Sequence, residues 1–372
     1  MSKMGDNGAM TMQQSSFMRG QRSARRSGAI FIIIIIFFLL TTILFPRYNA
    51  SAGDISSRAA VVIQASTGRI LYGKNPNLRL APASTTKLMT AMVTLDRMDP
   101  SDTAVISEIV SGVSPVKVNL RAGERVTVET LLNAALIKSA NDAAYALAEA
   151  TGGTEARFVE LMNQKVLGMQ LSDTNFINAT GLPGAGQYTS AYDLALMLKQ
   201  ALNYPLIKEL ISTKARWIST EEGRAISIKN SNKLLWEDET MVGGKTGYTR
   251  EAKHCFVGAK EQDNEMIIVA LLGAPSRQSL WKESEALLER GFAIVEGKEE
   301  PVILITQSEY ESSFHSAAYA AKHTDIKGST HKKTAKTSHR KTKQGKSATH
   351  IRKHKTKVNT EARAEESIGS KG

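Results

Sequence analysis

The sequence predicts an α+β fold for the central part of this 372-residue chain: an antiparallel sheet flanked by helices, with a helical subdomain. Three observations lead there. Two β-rich runs open the core as a hairpin. Helical spacing then dominates from Ser84 to Ala195. Strand patterns return between Met241 and Leu272, before one last amphipathic helix. Strands and helices grouped in blocks, rather than alternating one by one, describe α+β packing and not a parallel α/β sheet.

Ala59–Ala65 and Arg69–Tyr72 flank the turn Ser66-Thr67-Gly68 and form the hairpin. A short loop ends at Ala81-Pro82-Ala83, and Leu88-Met89-Thr90-Ala91-Met92-Val93 carries Ser84 into an apolar helix. Val128–Ile137 has apolar residues at helical spacing, and Asp142–Ala150 resumes as a second, Ala-rich helix. Ser139-Ala140-Asn141 therefore falls in a tight connection from which Ser and Asn side chains can point outward. Thr189 or Ser190 caps the next helix, with Asp193 near its third position. Met241–Tyr248, Cys255–Ala259 and Met266–Leu272 read as strands, the last two joined by the turn Glu261-Gln262-Asp263-Asn264. Leu280–Val295 closes the core as the amphipathic helix. No internal repeat and no Gly-rich phosphate loop occurs.

Charge and composition divide the chain into three parts: 1–52, a core of 53–300, and 301–372. The net charge is +12, and Lys322–Lys357 alone holds 13 Lys or Arg against one acid, Asp325. The basic balance thus belongs to a tail and the core is slightly acidic, which argues against a nucleic-acid-binding fold. The one cysteine, Cys255, cannot form an intramolecular disulfide and reads as a small buried strand residue. No cofactor and no metal site is expected.

Lys3, Arg19, Arg22, Arg25 and Arg26 precede Ala29–Phe45, which is apolar except for Thr41 and Thr42, and Ala50-Ser51-Ala52 supplies a small-x-small site. We read this as an export signal cleaved after Ala52. The apolar run also reaches the lower limit for a membrane span, so an uncleaved inner-membrane tether is the alternative. Either way the core lies outside the cytoplasm, periplasmic or otherwise extracytoplasmic. From His315 onward the chain is too poor in large apolar residues to offset its ordering entropy and is expected to be disordered. An anionic envelope polymer or lipid head groups would suit its charge; a tail that only solubilises, with no partner, is the other reading.

Three short motifs carry the chemistry: Ser84-Thr85-Thr86-Lys87, Ser139-Ala140-Asn141 and Lys245-Thr246-Gly247. A bare Ser-x-x-Lys arises by chance about once or twice in a chain of this length; Ser114–Lys117, Ser329–Lys332 and Ser338–Lys341 also match it. Only Ser84 opens an apolar helix. The other two motifs occur once each. Six of the seven histidines lie at or beyond His315, so a Ser-His-Asp triad would have to use His254, which reads as structural. Lys87, one turn after Ser84, can take the serine proton if its amine is neutral, and burial together with Lys245 would push it that way. Lys245 and Thr246 on an edge strand suit a peptide ending in a carboxylate, and Gly247 permits close backbone approach. The N–H groups of Ser84 and Tyr248 are the natural oxyanion donors. Ser139 can relay a proton to the leaving group, and Asn141 can hold the substrate amide.

This motif set is that of penicillin-binding proteins and class A β-lactamases. With Thr174-Asn-Phe-Ile-Asn-Ala-Thr-Gly-Leu182 and Tyr188-Thr-Ser-Ala-Tyr-Asp-Leu-Ala195, the stretch from Ala59 to Gly297 most resembles the serine-type D-alanyl-D-alanine carboxypeptidases, the low-molecular-mass penicillin-binding proteins. The resemblance implies a β-lactamase/transpeptidase-like fold. It implies Ser84 as acylated nucleophile, Lys87 as base, and Ser139, Asn141, Lys245 and Thr246 completing the site. The implied reaction removes the terminal D-Ala of the peptidoglycan stem pentapeptide, with β-lactams as covalent inhibitors. Arg277 is the candidate for the arginine with which many members help bind the terminal carboxylate. Members often read Ser-Gly-Asn at the second motif and often add a β-rich domain with an amphipathic anchor, where this chain has Ser-Ala-Asn and a basic tail. The alternatives are a DD-endopeptidase, a serine β-lactamase and a silent wall-binding scaffold. Glu129-Thr-Leu-Leu-Asn133 matches the β-lactamase Glu-x-x-Leu-Asn string but precedes Ser139 instead of following it, and is read as coincidence.

Overall fold

The computed structural model describes residues 55–305. The segment Ala29–Phe45 and the basic tail lie outside them. Six strands form the central sheet: β1 (Ala59–Gln64), β2 (Ile70–Lys74), β7 (Met241–Thr249), β8 (Lys253–Gln262), β9 (Glu265–Ala274) and β10 (Val302–Leu304), in the order β10-β2-β1-β9-β8-β7. All neighbours are antiparallel except β10 and β2. Strand β10 lies beyond residue 300, so the core extends past the boundary expected from composition. It covers β2, which would otherwise leave a row of unpaired backbone groups at that edge.

The strands read as continuous apolar runs because both faces are covered. On one face Val61, Ile63, Ile268, Ala270 and Leu272 join the larger core; on the other Ala60, Val62, Ile267, Val269 and Leu271 join the smaller one. The larger core packs against the helices between the two strand blocks. These are α1 (Lys87–Leu95), α2 (Glu108–Gly112), α3 (Val128–Asn133), α4 (Asn141–Gly152), α5 (Glu155–Gly168), α6 (Ala191–Ala201) and α7 (Pro205–Ser212). Ser190 caps α6 by accepting from Asp193 N–H. After the short α8 (Leu234–Glu237), helix α9 (Arg277–Val295) covers the second face with Leu280, Trp281, Leu287, Leu288 and Phe292. Ser276 and Ser279 cap it reciprocally. A Cβ on Gly291 would stand 2.6 Å from Ile267, so α9 approaches the sheet closely at that point.

Two minor hairpins flank the helices: β3 (Thr103–Val105) with β4 (Arg125–Thr127), and β5 (Ala215–Ser219) with β6 (Ala225–Lys229). Sequence pattern had not indicated these, nor α2, α5, α7 and α8. In β5 and β6 only Ile218 and Ile228 are buried, too little apolar repetition to stand out.

Candidate active site

Ser84 sits in a 3₁₀ turn, Ala83–Thr86, and Lys87 is the first residue of α1. Residues three apart eclipse in such a turn, which places Lys87 Nζ 3.0 Å from Ser84 Oγ. Lys87 is completely buried. Its Nζ also lies 2.7 Å from Asn141 Oδ1 and 2.6 Å from the Thr180 carbonyl. The Asn141 amide is fixed in orientation, because its Nδ2 donates to the Pro115 carbonyl at 2.9 Å. Both of these Lys87 partners therefore only accept. A neutral amine has two N–H groups and one lone pair; the two carbonyl oxygens take the N–H groups, and the lone pair is left facing the Ser84 hydroxyl. Burial, and after it the charge of Lys245, hold Lys87 well below the ordinary lysine range, with Asp142 pulling the other way.

The Thr180 carbonyl is held by its own loop. Asn178 Oδ1 accepts from the N–H groups of Thr180 and Gly181 at 3.2 and 2.8 Å, and Glu155 accepts from Ala179 N–H at 3.0 Å. Gly181 adopts φ +82°, and a Cβ there would stand 1.8 Å from the Ala83 carbonyl oxygen. The loop thus presses backbone to backbone on the nucleophile turn. Ala83 itself holds φ +50°, a conformation costly for an L-residue that persists where the surroundings over-determine it.

The other two motifs meet across the cleft. Ser139 follows the π-turn Ala134–Lys138 in a left-handed conformation, φ +66°, and its Oγ accepts from Lys245 Nζ at 2.8 Å. Lys245 also donates to the Thr246 carbonyl, and burial brings its pKa down to about 7. Strand β7 is the sheet edge, as expected, and it crosses directly over the nucleophile: a Cβ on Gly247 would lie 2.9 Å from Ser84 N. Thr246 Oγ1 pairs with Ser231 Oγ at 2.6 Å.

These groups open into a cleft of about 420 Å³ to which Ser84, Ser139, Thr246, Gly247, Tyr248 and Arg277 all contribute. Arg277, the first residue of α9, reaches across to within 3.5 Å of the Ser231 carbonyl. Lys138 and Lys229 also line the cleft, and among the described residues no carboxylate does. The site therefore favours anions. Asn141, expected to hold the substrate amide, is buried, with its Oδ1 2.7 Å from Lys87 Nζ and its Nδ2 donating to the Pro115 carbonyl. His254 stacks on Tyr248, ring centroids 4.6 Å apart, in keeping with a structural part, but it also borders the cleft. Burial and Arg277 lower its pKa. Cys255 is buried and its thiol is pushed up to about 12. Thr180, Asn178, Lys138, Lys229 and Ser231 had not been singled out from sequence. Only the family-like stretch 174–182 pointed toward the first two, since a backbone carbonyl acceptor leaves no mark on residue type.

Fold and site together define a Ser/Lys acyl-transfer centre. The chain belongs to the D-alanyl-D-alanine carboxypeptidase family, whose model matches residues 47–276. It is 35% identical over 242 residues to the D-alanyl-D-alanine carboxypeptidase DacF of Bacillus subtilis, covering 64% of this chain and 62% of that protein. It is 34% identical over 212 residues to a D-alanyl-D-alanine endopeptidase of Pseudomonas aeruginosa, covering 55% of this chain and 67% of that one. Among solved structures it matches a D-alanyl-D-alanine carboxypeptidase of Mycobacterium tuberculosis at TM-score 0.62 and 28% identity, over 64% of this chain and 92% of that one. A Streptomyces DD-transpeptidase matches at TM-score 0.61 and 28% identity, over 64% and 98%.

Proposed function

We propose that the protein is a serine-type D-alanyl-D-alanine carboxypeptidase that removes the terminal D-Ala from the peptidoglycan pentapeptide, outside the cytoplasmic membrane. The observation that carries this reading is Lys87 Nζ, enclosed by two carbonyl acceptors with its third direction on Ser84 Oγ. Lys87 takes the hydroxyl proton as Ser84 Oγ bonds to the carbonyl carbon of the penultimate D-Ala. The N–H groups of Ser84 and Tyr248 hold the oxyanion. Collapse breaks the peptide bond as the proton held by Lys87 is relayed through Ser139, which Lys245 contacts, to the D-Ala amine, leaving Lys87 neutral again. Water, deprotonated at Lys87, then cleaves the ester and regenerates Ser84. Lys245, Thr246 and Arg277 bind the terminal carboxylate in a cleft free of acids. β-Lactams acylate the same serine.

A DD-endopeptidase is the second reading. A further pocket of about 460 Å³, lined by Lys233, Arg277, Gln278, Trp281, Lys282 and Glu285, adjoins the cleft at Arg277 and offers room for a leaving group larger than D-Ala. A β-lactamase is disfavoured because Glu129 points to solvent from α3 while Leu131 and Leu132 lie in the core. The basic tail is assigned to anionic envelope polymers or lipid head groups, and Ala29–Phe45 to export with or without retention as a tether.

The test is D-alanine release from a stem peptide ending in D-Ala-D-Ala, with fluorescent penicillin labelling alongside, for the protein and Ser84→Ala. Release and labelling that both vanish in the variant, by about ten-thousandfold or more, support the reading. No release by the folded protein overturns it.

A further inference from the structure

Among the described aromatic residues only three are exposed, and each is tied to the cleft directly or through Lys229. Tyr248 is 57% exposed and lines the cleft. Trp236 is 40% exposed, and its ring lies 4.5 Å from Nζ of Lys229, which also lines the cleft. Trp217 is 72% exposed, on the hairpin that carries Lys229. An indole so open to water is unusual, since Trp is on average largely buried.

The hairpin's register shows how Trp217 relates to the cleft. Trp217 pairs with Ser227, Ala215 with Lys229, and Ser219 with Ala225. All six are exposed, while the alternate residues Ile218 and Ile228 are buried. They therefore share one outward face. Trp217 and Lys229 are diagonal neighbours on it, roughly 7–8 Å apart. The face carries four small or hydroxylated side chains, one indole and Lys229, which lines the cleft.

We propose that this face, with Trp236 and Tyr248, is a binding platform for a saccharide chain: the glycan strand of the polymer whose stem peptide enters the cleft. The proposal rests on the substrate class given above. The C–H face of a pyranose packs on an aromatic ring while its hydroxyls stay hydrated. A single indole among Ala215, Ser219, Ala225 and Ser227 suits that alternation of apolar face and hydrated rim. A protein partner would call for a contiguous apolar patch around the rings, and Ala215, Ser219, Ala225 and Ser227 do not form one. Continuity with the cleft places the glycan beside the peptide it carries.

The experiment compares the purified protein with Trp217→Ala and Trp217→Phe in two assays. In the first, D-alanine release is measured from free pentapeptide and from the same peptide on soluble glycan strands. Trp217→Ala is expected to lower kcat/KM on the glycan-linked substrate about five- to tenfold through KM, leave free pentapeptide unchanged, and be partly rescued by Phe. Equal loss on both substrates, or none on either, overturns the platform. The second assay titrates peptide-free glycan oligosaccharides calorimetrically. If neither substrate is cleaved, the carboxypeptidase reading fails and this titration alone decides: binding weakened by Trp217→Ala sustains the platform, and no binding sinks it. A polypeptide cross-linked at position 217 without any glycan affinity would also overturn it.

Discussion

The floor and the rim of the cleft are built on opposite plans. On the floor, Lys87, Asn141 and Lys245 are buried, Ser84 and Ser139 are partly so, and each has a defined polar partner. On the rim, Tyr248, Lys138, Lys229 and Arg277 are exposed, and among the described residues none of the three cations is paired with a carboxylate. Buried amines cannot drift without leaving polar groups unsatisfied, so the floor keeps its geometry and its lowered pKa values. Exposed cations and rings have no such constraint and can adapt to a ligand. The difference separates a fixed polar centre from an adaptable edge.

The comparison is broken most severely on the floor. Lys87→Met keeps the side-chain volume but removes the base, and acylation by penicillin is expected to slow about a thousandfold, as measured by stopped-flow labelling. A rate within tenfold of the parent would show that another group takes the Ser84 proton. Next comes Gly247→Ala, whose Cβ would fall 2.9 Å from Ser84 N. Crowding of the oxyanion site should lower kcat about a hundredfold, with the melting temperature separating this from misfolding. On the rim, Arg277→Gln should raise KM for the carboxylate-ended peptide about tenfold with little change in kcat. A fall in kcat alone would move Arg277 out of carboxylate binding.

A gentler probe uses pH. Lys245 titrates at about 7 in the folded chain and near 10.4 when unfolded. Between those values the unfolded state binds more protons, so stability rises with pH through that window and the gain is absent below it. Lys87 acts in the same direction. The melting temperature should therefore climb from about pH 7 to about pH 10, and Lys245→Met should flatten part of the climb. An identical climb in both proteins would contradict the buried, depressed lysine. Under the proposed roles the signs for activity oppose each other: protonation of Lys87 would remove the base on the acid side, and loss of the Lys245 charge above about 7 would weaken carboxylate capture in the free enzyme.

Much of the floor was readable in advance because acyl transfer by a Ser/Lys pair restricts residue type and local spacing. Ser84 and Lys87 had to lie one turn apart, and Gly247 had to lack a side chain beside the nucleophile. The central strands and α9 were readable because burial on both sheet faces writes long apolar runs. The rim left no such mark. Lys229 and Trp217 belong to a hairpin with one solvated face, Ser231 follows it in a loop, and Arg277 could be placed only through the family resemblance. The Thr180 carbonyl is a backbone atom that any residue would supply, and Asn178, which orients it, resembles any loop asparagine.

By itself, then, the sequence determined the order of the main strands and of the helices that carry the motifs, the three motifs themselves, and the charge division between core and tail, because periodicity, residue chemistry and composition are local properties of the chain. Only the tertiary structure decided that the Thr180 carbonyl and Asn141 enclose Lys87 Nζ beside Ser84, that β10 completes the sheet, and that Tyr248 lines the cleft with Lys229, over which Trp236 packs. Those facts depend on which distant segments touch, and contact between residues tens of positions apart is set by packing of the whole core rather than by any stretch of sequence.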